Sequence, residues 1–478
     1  MKGLARLLSA GLCAACLSAC AVGPTYKKPE TKVPDQWTTA QKQAEAAKAE
    51  ELARWWTTFD DPVLDGLVAR AVKSNLDLRL AEARIREARA ARGITDADRW
   101  PSIDASASQT RSRTSEKQPR SANRGGTGKE YDIYQAGFDA SWEIDLFGAV
   151  KRAVEAADAD IETRMEARRA VLVALLGDVA RNYIEVRGLQ KEIAITRENI
   201  RLQQETLELV RARYTAGLNS YLDVTRAEQL VANTTSQLPT QEITLKQTIH
   251  RLGVLLGQEP GALMAELEEA KPIPATTNSV PVGLPSELLL RRPDIRQAER
   301  ELAAATARTG VATADLFPRF SLTGSFGLQG GEARDLGFSS SRFWSVGPTV
   351  RWPVFDAGRI RANIKVQNER QEQALTLYEQ TVLRALEDVE NSLVAWQREQ
   401  ARRESLTQAV DAGRQSLAMS SELFTKGLIN FLDVIEVEKS LVEAESQLAR
   451  SESAVSSNLV ALYKALGGGW EVKDDQKN

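Results

Sequence analysis

Tyr134-Gln135-Ala136-Gly137-Phe138-Asp139-Ala140-Ser141-Trp142-Glu143 decides how the rest of the chain must be read. Apolar residues alternate with polar or small ones, the period-two pattern of a strand with one face in an apolar medium and one in water. Phe320, Leu322, Phe326 and Leu328 alternate in the same way with Ser321, Thr323, Ser325 and Gln329. Trp344, Val346, Val350 and Trp352 alternate with Ser345, Gly347, Thr349 and Arg351, and Ile103, Ala105 and Ala107 mark a weaker fourth strand. The expected strands are about 101–111, 131–144, 318–329 and 343–354. Each has about the 9–11 residues that cross a bilayer as a tilted strand, and tryptophans near the ends fit an interfacial girdle. A half-buried soluble hairpin shows the same alternation. The completeness of the polar faces favours the membrane, where a sheet must close because open edges have no partners in hydrocarbon. Four strands cannot close alone, since the smallest such barrels have about eight. Chains must therefore pool strands, and the pattern alone leaves two chains with a filled interior or three with an opening.

The chain is written twice. Asn75-Leu76-Asp77-Leu78-Arg79 and the run from Gly93 to Pro101 return, offset by 217, as Arg292-Pro293-Asp294-Ile295-Arg296 and Gly310 to Pro318. Gly148, Gly217-Leu218, Leu222-Asp223-Val224 and Leu256-Gly257 return, offset by 210, as Gly358, Gly427-Leu428, Leu432-Asp433-Val434 and Leu466-Gly467. The expected domains are a first repeat at 61–270 and a second at 271–470, with an N-terminal segment at 20–60 and a tail at 471–478.

In each repeat two glycines 69 residues apart bracket a stretch with almost no helix breakers. Long helices are expected at about 148–216 and 358–426, each about 100 Å long. Val179, Val186, Ile193, Ile200, Leu207 and Tyr214 recur every seventh residue, with Tyr183, Leu189 and Val210 near companion positions. Such a seam makes a left-handed coiled coil. Val389, Trp396, Val410, Leu417 and Phe424 keep it in the second copy, interrupted by Arg403. A return helix follows each tight turn. Pro239 inside the first should bend it, whereas the second has Ala449 there. Glycine permits the turns at Gly217 and Gly427, and Asp223 and Asp433 can cap the helices that follow.

Composition excludes several classes. Aromatics are 6% and the net charge is −3, which suits long helices and gives no nucleic-acid footprint. Met1 to Ala19 reads as a secretory signal, with Lys2 and Arg6 before an apolar core. Leu17-Ser18-Ala19-Cys20 resembles a bacterial lipobox, making Cys20 the expected lipid anchor; Cys13 and Cys16 would leave with the signal. No run of about 18 apolar residues follows, so no membrane helix is expected. His250 is the one histidine, and no metal-ligand cluster, phosphate loop or nucleophile elbow is found, so no enzyme, metal or cofactor is expected. Asp60 with Asp61, and Glu268 with Glu269, read as solvated faces or caps.

Several blocks resemble the TolC-type outer-membrane efflux proteins, in the lipoprotein branch that includes OprM-like and NodT-like channels. They are Cys20 with Gly23-Pro24-Thr25-Tyr26 and Pro29; Trp56 with Phe59-Asp60-Asp61-Pro62; Leu284-Pro285 with Arg291-Arg292-Pro293-Asp294-Ile295; and Ala461 through Trp470. The resemblance implies a mainly α fold with a membrane β-barrel, in which each protomer gives four strands to a shared twelve-stranded trimeric barrel and coiled-coil helices to a periplasmic α-barrel. It implies an exit duct for drugs or other small molecules, lipid-anchored in the outer membrane. The implied partners are two further copies, a periplasmic adaptor and an inner-membrane pump of RND or ABC type. In the relatives the second turn closes the periplasmic mouth with an apolar and an acidic ring. Matching positions put Leu432 at the first and Asp433 or Glu436 at the second. Carboxylates facing one axis repel each other and favour cations. TolC itself latches this mouth partly through a tyrosine and an arginine, where this chain has Phe424 and Ile429, which leaves Asp223 without the tyrosine. The latch here is expected to rest on Leu432 packing or on other charges. Two rivals are a type I protein-secretion duct and a periplasm-spanning lipoprotein scaffold.

Overall fold

The computed structural model describes residues 21–38, 52–113, 115, 130–274, 283 and 285–470. The signal, Cys20, Leu284 and the 471–478 tail lie outside them. Two compact units divide the chain: residues 1–29, 85–163 and 298–378 form one, and residues 30–84, 164–297 and 379–478 the other.

The first unit carries the strands β1 (Ser102–Arg113), β2 (Glu130–Ile144), β3 (Arg319–Gly330) and β4 (Arg342–Arg351). They form one antiparallel sheet in the order β1-β2-β3-β4, so β1 and β4 are its edges. Register puts Ala105, Phe138, Phe326 and Trp344 in one row, and Asp104, Asp139, Ser325 and Ser345 in the next. Each strand therefore turns its apolar residues to one side and its polar ones to the other. Phe138, Phe326, Trp344, Val346 and Val350 are all exposed, an apolar sheet face that water does not favour. Where the rows cross at Gly137 and Gly327, a side chain on either would run into the opposite backbone, with a Cβ on Gly137 only 2.7 Å from the Phe326 carbonyl oxygen. Expected β1, the weakest in pattern, pairs with β2 over its full length.

The internal repeat is visible at the strand bases. Trp142 Nε1 donates to the Arg99 carbonyl at 2.9 Å, and Trp352 Nε1 to the Leu316 carbonyl at 3.1 Å. Each indole thus ties a strand to the end of the helix that precedes the hairpin, α2 (Leu76–Ala97) or α5 (Pro293–Ala314). Phe147 and Phe317, from opposite copies, stack at 4.6 Å.

A strap of residues 21–29 lies against this same region. Val22 N donates to the Phe147 carbonyl at 3.1 Å, and Arg152 reaches the Val22 carbonyl and Thr25 Oγ1. Gly23 adopts φ +87° with its Cβ position 2.5 Å from Gly310 Cα, a contact that only glycine against glycine permits. Tyr26 donates to Glu299 Oε1 at 3.0 Å, beneath the Arg300 guanidinium.

The long helices are α3 (Ala149–Thr215) and α6 (Arg359–Thr425), 67 residues each, and they contribute to both units. Their return helices, α4 (Tyr221–Leu255) and α7 (Phe431–Ala465), have 35 residues each. Helix α4 continues through Pro239 without a break. The seam is buried at Val179, Val186, Ile193 and Leu207 on α3 and at Val389, Trp396, Val410 and Phe424 on α6, whereas Tyr214, at the turn, is exposed and packs on Tyr221 at 5.5 Å.

In the second unit, the sequence blocks find structural uses. Asp61 accepts from Val63 N and Leu64 N and so caps α1 (Pro62–Ser74), and its other oxygen accepts the Tyr183 hydroxyl at 2.6 Å. Burial, with the bond to Asp61, pushes that phenol up to about 12. Trp55 is buried against Phe59 and stacks on Tyr463 at 5.4 Å. Arg292, buried, donates to the Ala465 carbonyl at the end of α7 and pairs with Asp294 and Asp388. Trp470 lies under Arg169 and Arg296.

Candidate functional site

The two helical turns meet in one buried cluster. Leu207 and Val210 of α3, Val224, Ala227 and Leu230 of α4, Phe424 of α6, and Phe431, Val434 and Ile435 of α7 form it, with Val231, Leu417 and Ile429 at its margin. Four helices, two from each repeat, bury apolar residues together. Phe424 and Phe431 pack at 5.3 Å.

Each turn is built alike. Gly217 has φ +75° and Gly427 +76°, the left-handed geometry that lets the chain reverse after a helix. Gly217 N donates to the Tyr214 carbonyl and Leu218 N to the Arg213 carbonyl; Gly427 N and Leu428 N do the same with Phe424 and Leu423. The helix N-caps are Ser220 and Asn430, not the aspartates expected from the sequence. Asp223 and Asp433 sit one turn in and reach back, accepting from Ser220 N at 3.3 Å and Asn430 N at 3.1 Å. A carboxylate in that first turn also meets the positive end of the helix dipole.

Asp223 accepts further from Asn219 Nδ2 at 3.4 Å, with Arg226 at 3.9 Å. Leu432 is 43% exposed and Glu436 is exposed. Four residues apart, they share one helix face. Asp433 is occupied by the Asn430 amide, whereas Glu436 extends from the helix with no hydrogen bond or ion pair among the described residues.

Sequence reading missed Arg213. From the end of α3 its guanidinium donates to Asn219 Oδ1 at 2.9 Å and, across to the other repeat, to the Thr425 carbonyl at 3.1 Å. It also lies 4.7 Å from the Phe424 ring centre. One side chain thus ties the first turn to the second. His250 is exposed, and no cluster of three metal-ligating side chains occurs among the described residues.

A four-stranded sheet with an apolar outer face, joined to paired 67-residue helices in two copies, defines a duct-forming membrane protein with internal repeats. The outer membrane efflux protein family model matches residues 67–258 and 284–468, once per repeat. The chain belongs to this family of TolC-type outer-membrane efflux proteins, which are channels and not enzymes. Nodulation protein T of Rhizobium leguminosarum bv. trifolii is 32% identical over 95% of each chain. Outer membrane protein OprJ of Pseudomonas aeruginosa is 33% identical over 97% of this chain and 96% of its own. The solved structure of the outer-membrane channel OprN superposes with a TM-score of 0.87 at 36% identity, covering 95% of this chain and all of that one. The fold is therefore that of trimeric channels in which protomers pool their strands in a membrane barrel and their helices in a periplasmic one.

Proposed function

We propose that this chain is the outer-membrane exit duct of a tripartite pump, conducting drugs or other small molecules passively, with its periplasmic mouth at the paired turns. The observation that carries the reading is the shared cluster around Phe424 and Phe431, which fastens the second-copy turn to the first. Opening then requires the α6/α7 pair to move against the α3/α4 pair. Leu432 is the apolar ring. Glu436, on the same face and without a local partner, is a better acidic ring than Asp433, whose carboxylate is committed to its helix cap. Leu218 and Leu428, each 67% exposed at matching tips, are the surface offered to a periplasmic adaptor, and an RND or ABC pump supplies the energy.

The strap supports lipid anchoring at Cys20. Val22, two residues on, is hydrogen-bonded beside the base of β2, which would seat acyl chains where the barrel leaves the membrane.

The test is conductance of the detergent-extracted trimer in a planar bilayer. Wild type is expected to give small, cation-preferring currents. Glu436→Gln should weaken the preference, Asp433→Asn should alter it less, and Leu432→Ala should enlarge the currents and raise susceptibility to large antibiotics. A folded trimer indifferent to all three substitutions would overturn the gate assignment.

A further inference from the structure

Glu438 lies one turn beyond Val434 and Ile435 on α7, and only 6% of it is exposed. It points away from the exposed Leu432 and Glu436 face, into the helices. Its neighbour is Gln203 on α3, itself 2% exposed, so the contact crosses between the two repeats at the margin of the apolar cluster. Gln203 is four residues before Leu207, and Asn199 four residues before that, which places a short polar layer directly above the apolar one.

Two observations set the chemistry of this layer. The first is the supply of charge. On α3, Arg201 is held by Glu198 and Glu205, and Arg211 by Glu228 of α4. On α4, Arg226 faces Asp223; on α6, Arg414 pairs with Glu445 of α7 and Lys426 with Glu422. On α7 itself, Glu436 and Lys439 are exposed. None of these cations pairs with Glu438, and a carboxylate buried without a cation is costly. The second is the neutrality of its polar neighbours. Gln203 Oε1 is buried and has no hydrogen-bond partner, and Asn199 Nδ2 is likewise unmatched. Both are neutral amides, so the layer offers Glu438 hydrogen bonding but no positive charge to offset its ionisation, and burial favours the neutral acid.

We propose that Glu438 is a proton-operated brace between the two helix pairs: it keeps its proton while α7 lies against α3 and loses it when the pairs part. Acid therefore holds the mouth end together and alkali loosens it. This rests on the turns being the gate.

Burial pushes the Glu438 carboxyl from its ordinary 4.5 up to about 7, against a smaller opposing effect of the Gln203 hydrogen bond. The sign follows. A carboxyl raised in the packed arrangement stabilises it fully below the ordinary value, and that stabilisation is lost as pH rises through the raised one. Between those limits the ratio of parted to packed forms rises by up to about tenfold per pH unit for each coupled protomer.

Planar-bilayer currents of the purified trimer at pH 5.5 to 8.5 test this, with wild type, Glu438→Gln, Gln203→Leu and Leu432→Ala side by side. The ratio of open to closed wild-type channels should be about twentyfold higher at pH 7.5 than at 5.5 if one protomer governs opening. Glu438→Gln should remain near the acid level throughout. Gln203→Leu, which removes the bond to the carboxylate, should move the wild-type midpoint to higher pH, and it keeps the test open if Glu438→Gln does not assemble. A Glu438→Gln curve that follows wild type, or an unmoved Gln203→Leu midpoint, overturns the brace while leaky Leu432→Ala currents leave the gate standing. Leu432→Ala currents equal to wild type at every pH overturn both.

Discussion

Replacing Arg213 with Ala should loosen the mouth without unfolding the coil. Its hydrogen bond to the Thr425 carbonyl crosses between the repeats, and such a bond is worth about 1 kcal/mol net, with the upper range for charged donors discounted because the side chain is partly exposed. The guanidinium over the Phe424 ring adds about 0.5–1 kcal/mol at a site of this exposure. The bond to Asn219 stays within the first turn and does not count toward the coupling. About 1.5–2 kcal/mol per protomer then resists separation, which at 1.4 kcal/mol per decade is roughly a 10- to 30-fold shift toward the parted form. Single-channel open probability measures it directly, and susceptibility to a large antibiotic reports it in cells. Arg213→Lys should recover less than half of the effect, because an ammonium keeps charge but not the planar fork. A cycle with Phe424→Leu isolates the ring contact. An Arg213→Ala channel that matches wild type in both assays would falsify the reading of this residue as a tie between the two turns.

Gly23→Ala should detach the strap, because φ +87° is disfavoured by about 1–2 kcal/mol for a residue with a Cβ and that atom would sit 2.5 Å from Gly310 Cα. Limited proteolysis within residues 21–38 should become faster, and an unchanged digestion rate refutes the argument. Glu299 is buried with Arg300, Lys28 and the Tyr26 hydroxyl around it. Burial alone would raise its carboxyl, but the two cations and the hydrogen bonds outweigh that and hold it below the ordinary carboxylate range. The stability it lends is present above the ordinary value and fades as pH falls through the depressed one. Glu299→Gln should lower the melting temperature at pH 7, by the loss of about 1–3 kcal/mol, and the gap to wild type should shrink in acid; a gap constant with pH would argue against the ion-pair account.

What the sequence revealed of this protein depended on whether the deciding physics was local. The period-two runs placed two strands within a residue of their observed limits, because bulky apolar residues mark the face, and overran β4, which stops at Arg351 rather than 354. The fourth was faint because Ile103, Ala105 and Ala107 are mostly small, and its pairing with β2 follows from register that no single strand displays. Gly217 and Gly427 were legible because positive φ leaves a chemical signature. The capping aspartates were misplaced by three positions: Ser220, Asn430, Asp223 and Asp433 are all competent cap residues, and only backbone geometry says which one ends the turn. Arg213 was invisible. Its decisive partner is a main-chain carbonyl 212 positions away, and nothing in the surrounding sequence separates it from the chain's other arginines. Glu438 was hidden for a related reason: a lone glutamate in a helix reads as solvated, and only the fold leaves it 6% exposed, beside Gln203 of the other repeat.

The equal lengths of the paired helices, 67 and 67 residues outward and 35 and 35 back, act as a ruler. Deleting one residue from α3 alone would draw its turn back by about 1.5 Å and rotate it by about 100°, so Leu207 and Val210 would no longer face Phe424. Seven residues removed would restore the facing but leave the two turns about 10 Å out of level. Length changes in this half of the molecule are therefore expected to be viable only in matched heptads on all four helices, giving a shorter or longer duct with the same mouth. The connections between strands carry no such constraint: the link from β1 to β2 spans residues 114–129 and that from β3 to β4 only 331–341, so the two copies already differ there.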